Sequence, residues 1–200
     1  MKQAMNIVAV TIFFSVLYAV LRYNVFGDVP WEQLPIYIVN KAISLSAIFC
    51  ISLSVIWSKL PSNDVHVRKF LGLYGFVLAI LHVLLSIMIL SPEYYSSFFV
   101  DKKLYFFAST ILLCGALAFI FFLLAASCSV IATRISVSYI SVCVSTGMLF
   151  AAAHIFLRGQ NSWKTPFDWY GYMPPISLVG FATIIMAFVS KSVKKTEESS

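Results

Sequence analysis

Two histidines that lie inside long apolar runs, His82 and His154, are the residues of this chain best suited to chemistry. An imidazole in a membrane-length apolar segment is costly without a partner, which makes it a functional candidate by default. On a helix, Gly72, Gly75, Ala79, His82 and Ser86 fall on one stripe, and Gly147, Ala151, His154 and Arg158 repeat the pattern. Two readings are open. Small stripes let membrane helices pack closely; alternatively, the missing side chains leave a flat slot for a planar cofactor, with His82 and His154 as axial ligands of one haem b iron. In the second reading Gly75, Ala79, Gly147 and Ala151 admit the porphyrin edge, and Arg158 meets a propionate by a charge-assisted bond, unless it only marks the membrane boundary. Lys41, beside Asn40, either snorkels to the near interface or holds an anionic group such as a propionate or a quinone oxygen. Zinc would need a third or fourth ligand, and neither an HExxH motif nor a carboxylate cluster exists. A di-iron site would need more histidines than the three present, the third being His66, read as a solvated loop residue.

The elements that must position these residues follow from composition. With 60% hydrophobic and 11% charged residues and a mean hydropathy of +0.91, the chain cannot be an ordinary soluble domain, where about 25% of residues are charged. It is expected to be an all-α membrane protein, a six-transmembrane-helix bundle forming a single domain over 1–200. The net charge of +6 then reports topology and attraction to anionic membrane lipid rather than nucleic acid, for which no motif is present. Cys50, Cys114, Cys128 and Cys143 have no CxxC spacing and read as small apolar fillers.

Apolar runs place helices at about 4–22, 35–58, 70–91, 104–126, 138–158 and 174–190, with 191–200 as a disordered tail. The first run lacks a convincing cleavage site and reads as a retained helix rather than a signal peptide. Residues 92–103 and 159–175 are aromatic-rich loops expected at headgroup level. Lys2, Lys59, Arg68, Lys69, Arg134, Lys191, Lys194 and Lys195 fall on one side, against Arg22, Lys102, Lys103, Arg158 and Lys164 on the other, which puts both termini in the cytoplasm. The third and fifth helices then run outward in parallel. His82 falls roughly 18 Å along its helix at the helical rise, and both histidines fall in the outer half, His154 nearer the edge.

Arg68-Lys69 followed by LGLYGF and ILHVLLS resembles the third helix of the ferric reductase-like transmembrane domain. That domain is shared by ferric reductases, NADPH oxidases and the haem-binding membrane subunit of the bacterial methionine sulfoxide reductase system. FFLLAASCS, AAAHIFLRG and MPPISLVGF are similar to segments of its small bacterial members, and the resemblance runs from about Asn40 to Phe188. It implies a bundle in the bacterial inner membrane that passes electrons through haem b between the third and fifth helices, with His82 and His154 as axial ligands. Members with two haems carry another histidine about thirteen residues before each of these, where this chain has Lys69 and Ser141, so one haem is expected. No Gly-rich phosphate loop follows a strand, so reducing equivalents are expected from quinol or a separate flavoprotein. The acceptor would be ferric iron or a partner reductase at the outer face. The other function class is a non-redox transporter or assembly factor whose histidines bind protons or solute.

Overall fold

The computed structural model describes residues 2–58, 60, 64–131 and 136–197. Lys59 and Arg134, two of the cations used for orientation, lie outside them. The chain forms six helices: α1 (Lys2–Val20), α2 (Val39–Trp57), α3 (Val65–Met88), α4 (Phe106–Ile131), α5 (Val137–Trp163) and α6 (Ile176–Glu197). Each belongs to a segment long and apolar enough to cross a membrane. The six-helix bundle read from composition is thus the architecture of the protein.

The helix ends depart from the sequence reading in an informative way. Asp64 caps α3, its carboxylate accepting from the His66 amide at 2.8 Å, so the helix begins at Val65 and His66 sits exposed in its first turn rather than in a loop. At the far end α5 runs on to Trp163, through a polar stretch that hydropathy alone excluded. The sixth helix likewise continues to Glu197, where a tail was expected from 191. These extensions change the depths of the histidines. His82 lies six residues before the end of α3 and His154 nine before the end of α5, about 9 and 13 Å at the helical rise.

Among the described residues, the end of the bundle assigned to the outside carries most of the irregular structure. Both α1 and α2 have a π-helical turn there, Leu21–Val25 and Leu34–Ile38. Arg22, only 5% exposed, donates from its guanidinium to the carbonyls of Met173 and Tyr170, and the Tyr18 hydroxyl donates to Pro174 O at 2.6 Å. This clips the end of α1 onto the segment that leads into α6. Between α3 and α4, β1 (Phe99–Val100) pairs antiparallel with β2 (Lys103–Leu104) around Asp101 and Lys102, both at positive φ as a tight hairpin turn requires.

Packing makes α2 the central staff. It lies against α1, α3 and α6, while α4 and α5 form a second close pair that joins the rest through α5–α6 and a lighter α3–α4 contact. Residues of α2 enter three of the four apolar clusters: Ala47 and Cys50 beside Val67 and Leu71, Ile51 beside Met148 and Ile184, and Ala42 and Leu45 beside Ile176. Large apolar side chains such as Phe13, Ile87, Leu113 and Leu149 face outward. That inversion is expected where the surroundings are lipid rather than water. All four cysteines are free, Cys50 and Cys143 among the buried residues, in keeping with their reading as fillers.

The α2–α3 seam is close because Gly75 has no side chain: a Cβ there would stand 2.7 Å from Ile51 Cγ1 and 3.1 Å from Ala47 O. Gly75→Ala should lower stability in detergent by about 1–3 kcal/mol, the usual cost of overpacking. Gly180→Ala, whose Cβ would meet nothing nearer than 3.6 Å, should be neutral or slightly stabilising. Thermal unfolding of the two variants checks the contrast, and equal behaviour would contradict the close seam.

Candidate functional site

The site begins with one polar residue of α2. Asn40, 1% exposed, stands one π-turn inside the outer end of its segment and faces α3. Its Oδ1 lies 2.7 Å from His82 Nδ1, and its Nδ2 donates to Ser86 Oγ at 3.0 Å. Ser86 Oγ is itself 3.4 Å from the same ring nitrogen. An amide oxygen can only accept, so Nδ1 of His82 carries the proton and the lone pair is on Nε2.

His154 reaches the same state by another route. Its Nδ1 donates to the backbone carbonyl of Ile111, on α4, at 2.8 Å. The ring can lie against α4 because the next turn of that helix is Gly115, where a Cβ would stand 2.9 Å from Nδ1 and 3.2 Å from Cε1. Both imidazoles thus donate from Nδ1, and neither Nε2 has a hydrogen-bond partner among the described residues. Each is half-buried, and His82 lies within electrostatic range of both His154 and Lys41. The helices that carry them, α3 and α5, do not pack along one another among the described residues.

Two cations close the outer side. The Lys41 ammonium lies over the rings of Tyr37 and Tyr23, 4.4 and 5.0 Å from their centroids, and the Arg158 guanidinium lies over Phe98 and Tyr95 at 5.1 and 5.9 Å. Tyr95 and Tyr37 are ring neighbours at 5.9 Å, so the two cations flank one aromatic cluster. Burial raises the pKa of the Tyr95 hydroxyl, although the nearby Lys41 ammonium favours the phenolate. The Lys41 ammonium is thus held by the aromatic faces of Tyr23 and Tyr37.

The four small residues expected to make a slot are used differently. The space at Gly75 is filled by Ile51 of α2, and the space at Gly147 by the Phe122 ring and Ala118 O of α4. Ala79 packs against the α1–α2–α3 cluster, and Ala151 lines a small apolar gap with Ile48, Ile51, Ser52, Phe122, Met148 and Ile184. These positions serve helix packing, because each stripe lies against the neighbour with which its helix forms a hairpin.

A haem can still be tested against the donors that are present. Two imidazoles with Nε2 unpaired among the described residues, on helices that do not pack along one another, fit the axial requirement, and Lys41 and Arg158 fit anionic substituents. No group of three or more His, Cys, Asp and Glu converges among the described residues, so a metal ion bound by side chains alone has no such site there. At the inner level, where a second haem would need a ligand, the Lys191 ammonium donates to Ser145 Oγ and Ser141 Oγ at 2.6 and 3.1 Å, and Lys69 is exposed. Comparison of the chain with protein-family models and with curated proteins finds no match.

Asn40, Ile111 and Gly115 were not singled out by their types and spacing as parts of a site. An asparagine deep in an apolar run was the available signal for the first; the carbonyl of Ile111 has none.

If Gly115 exists to admit the His154 ring, Gly115→Ala should destabilise the protein by about 1–3 kcal/mol. In a Gly115→Ala/His154→Ala double variant most of that penalty should vanish, since the clashing ring is gone. Additive losses in unfolding experiments would contradict the contact.

Proposed function

We propose that this protein is a haem b-binding electron-transfer component of a membrane oxidoreductase, with His82 and His154 as axial ligands of a single haem. The observation that carries the reading is the paired tautomer: on both α3 and α5, Nδ1 is tied to a carbonyl oxygen and Nε2 is left unused. Metal-ligating histidines are held in this way, since the bond fixes the ring and raises its basicity. The resemblance of the segments around both histidines to the ferric reductase-like transmembrane domain supports the same conclusion.

Bound haem b supplies a one-electron couple inside the hydrocarbon layer. The chain's own residues do the rest. Asn40 and the Ile111 carbonyl hold the two rings, and Lys41 and Arg158 offer positive charge to propionates from the outer side. Tyr37 lies under the Lys41 ammonium, and Tyr95 and Phe98 lie under the Arg158 guanidinium. The outer-half position of both histidines favours delivery to an acceptor at that face, ferric iron or a partner reductase. The long inner half makes a quinol from the bilayer the favoured donor, ahead of a separate flavoprotein. By this reading the protein sits in a bacterial inner membrane. The filled spaces at Gly75 and Gly147 favour a second reading, a non-redox membrane protein in which His82 and His154 bind protons or solute.

Purification after expression with ample haem, followed by haem quantification, tests the ligands. His82→Ala and His154→Ala should each lower haem retention by at least about 10-fold, and His66→Ala, exposed at the start of α3, should leave it unchanged. Haem loss in the His66 variant, or full retention in both of the others, would overturn the assignment.

A further inference from the structure

The two imidazoles are anchored by unequal means. Ile111 offers a backbone carbonyl, which cannot turn over. His82 depends on a side-chain amide, and the amide's own orientation decides which ring nitrogen carries the proton. With Oδ1 towards the ring, Nδ1 is the donor and Nε2 is free; with Nδ2 towards the ring, the proton would move to Nε2 and the ligand would be lost.

The surroundings of Asn40 select the first orientation. Its Nδ2 donates to Ser86 Oγ at 3.0 Å. A hydroxyl oxygen on the Nδ2 side and a ring N–H at Oδ1 match the donor and acceptor of an amide, and the group is 1% exposed, so water offers no competing partner. The network joins two helices: Asn40 on α2, and His82 and Ser86 on α3.

We infer that Asn40 is a positioning residue that fixes the tautomer and ring orientation of His82, and so tunes the iron that His82 would ligate. The inference rests on the haem reading above. Leucine at this position removes the 2.7 Å acceptor and leaves the ring N–H only the longer, 3.4 Å approach of Ser86 Oγ. Aspartate keeps an acceptor in place and makes it anionic, which raises the basicity of the imidazole and stabilises the more oxidised iron.

The test uses the full-length, haem-loaded protein and compares wild type with Asn40→Leu, Asn40→Asp, Ser86→Ala and His82→Ala. Haem affinity is read from transfer to apomyoglobin, and the midpoint potential from a spectroscopic redox titration. Asn40→Leu should hold haem about 10–100-fold more weakly. Asn40→Asp should retain haem at a lower midpoint potential, and Ser86→Ala, which removes the Nδ2 partner that selects the amide orientation, should weaken haem binding less than Asn40→Leu. Wild-type affinity and potential in Asn40→Leu, in a protein where His82→Ala loses haem, would overturn this inference and leave the haem reading standing. If Asn40→Leu yields no folded protein, an unchanged potential in Asn40→Asp would overturn it equally. A wild type that binds no haem would overturn the haem reading itself, and this inference with it.

Discussion

The constraint on which the site depends is that an imidazole N–H inside a hydrocarbon layer must find an acceptor within the protein. Water is not at hand, and an unpaired donor there costs several kcal/mol. His82 and His154 meet the constraint separately, one through Asn40 and one through the Ile111 carbonyl. Both solutions satisfy Nδ1 and leave Nε2 open. A ring that served packing alone would gain from satisfying both nitrogens, so the same nitrogen left open twice is what turns two buried histidines into a candidate ligand pair.

The bundle is arranged so that these bonds can form. Asn40 reaches His82 because α2 and α3 lie close, and they lie close because Gly72 and Gly75 face Ser54, Ile51 and Ala47 across the seam. On the other pair, Gly147 seats Phe122 and Gly115 admits the His154 ring, which brings the ring nitrogen to the α4 carbonyl. Small residues therefore act through helix approach, and helix approach sets the polar contacts. The outer connections complete the arrangement: Tyr95 and Phe98 bring aromatic faces to Arg158, and Tyr23 and Tyr37 bring them to Lys41.

Much of this was legible in the chain. Hydropathy over membrane-length windows located all six helices, and a polar residue in an apolar run marked both histidines. Helix ends were less so: α3 begins five residues before the expected Phe70 because Asp64 caps it, and α5 continues beyond Arg158 through a polar stretch. The small stripes were recognised, but periodicity cannot say which neighbour a stripe meets, and Gly75 and Gly147 meet α2 and α4. The acceptor for His154 is a main-chain carbonyl, and no residue type announces one. Asn40 could be seen as polar, yet its partner lies 42 positions away, across a contact that only the fold creates.

The measurement that bears most directly on the central claim is the dithionite-reduced minus oxidised visible spectrum of the purified wild-type protein, with haem quantified per chain. A low-spin b-type spectrum at about one haem per chain is the result expected of one histidine pair with Nε2 free on both rings. Absence of haem after expression with ample supply, or a high-spin spectrum indicating that one axial position is open, would contradict it.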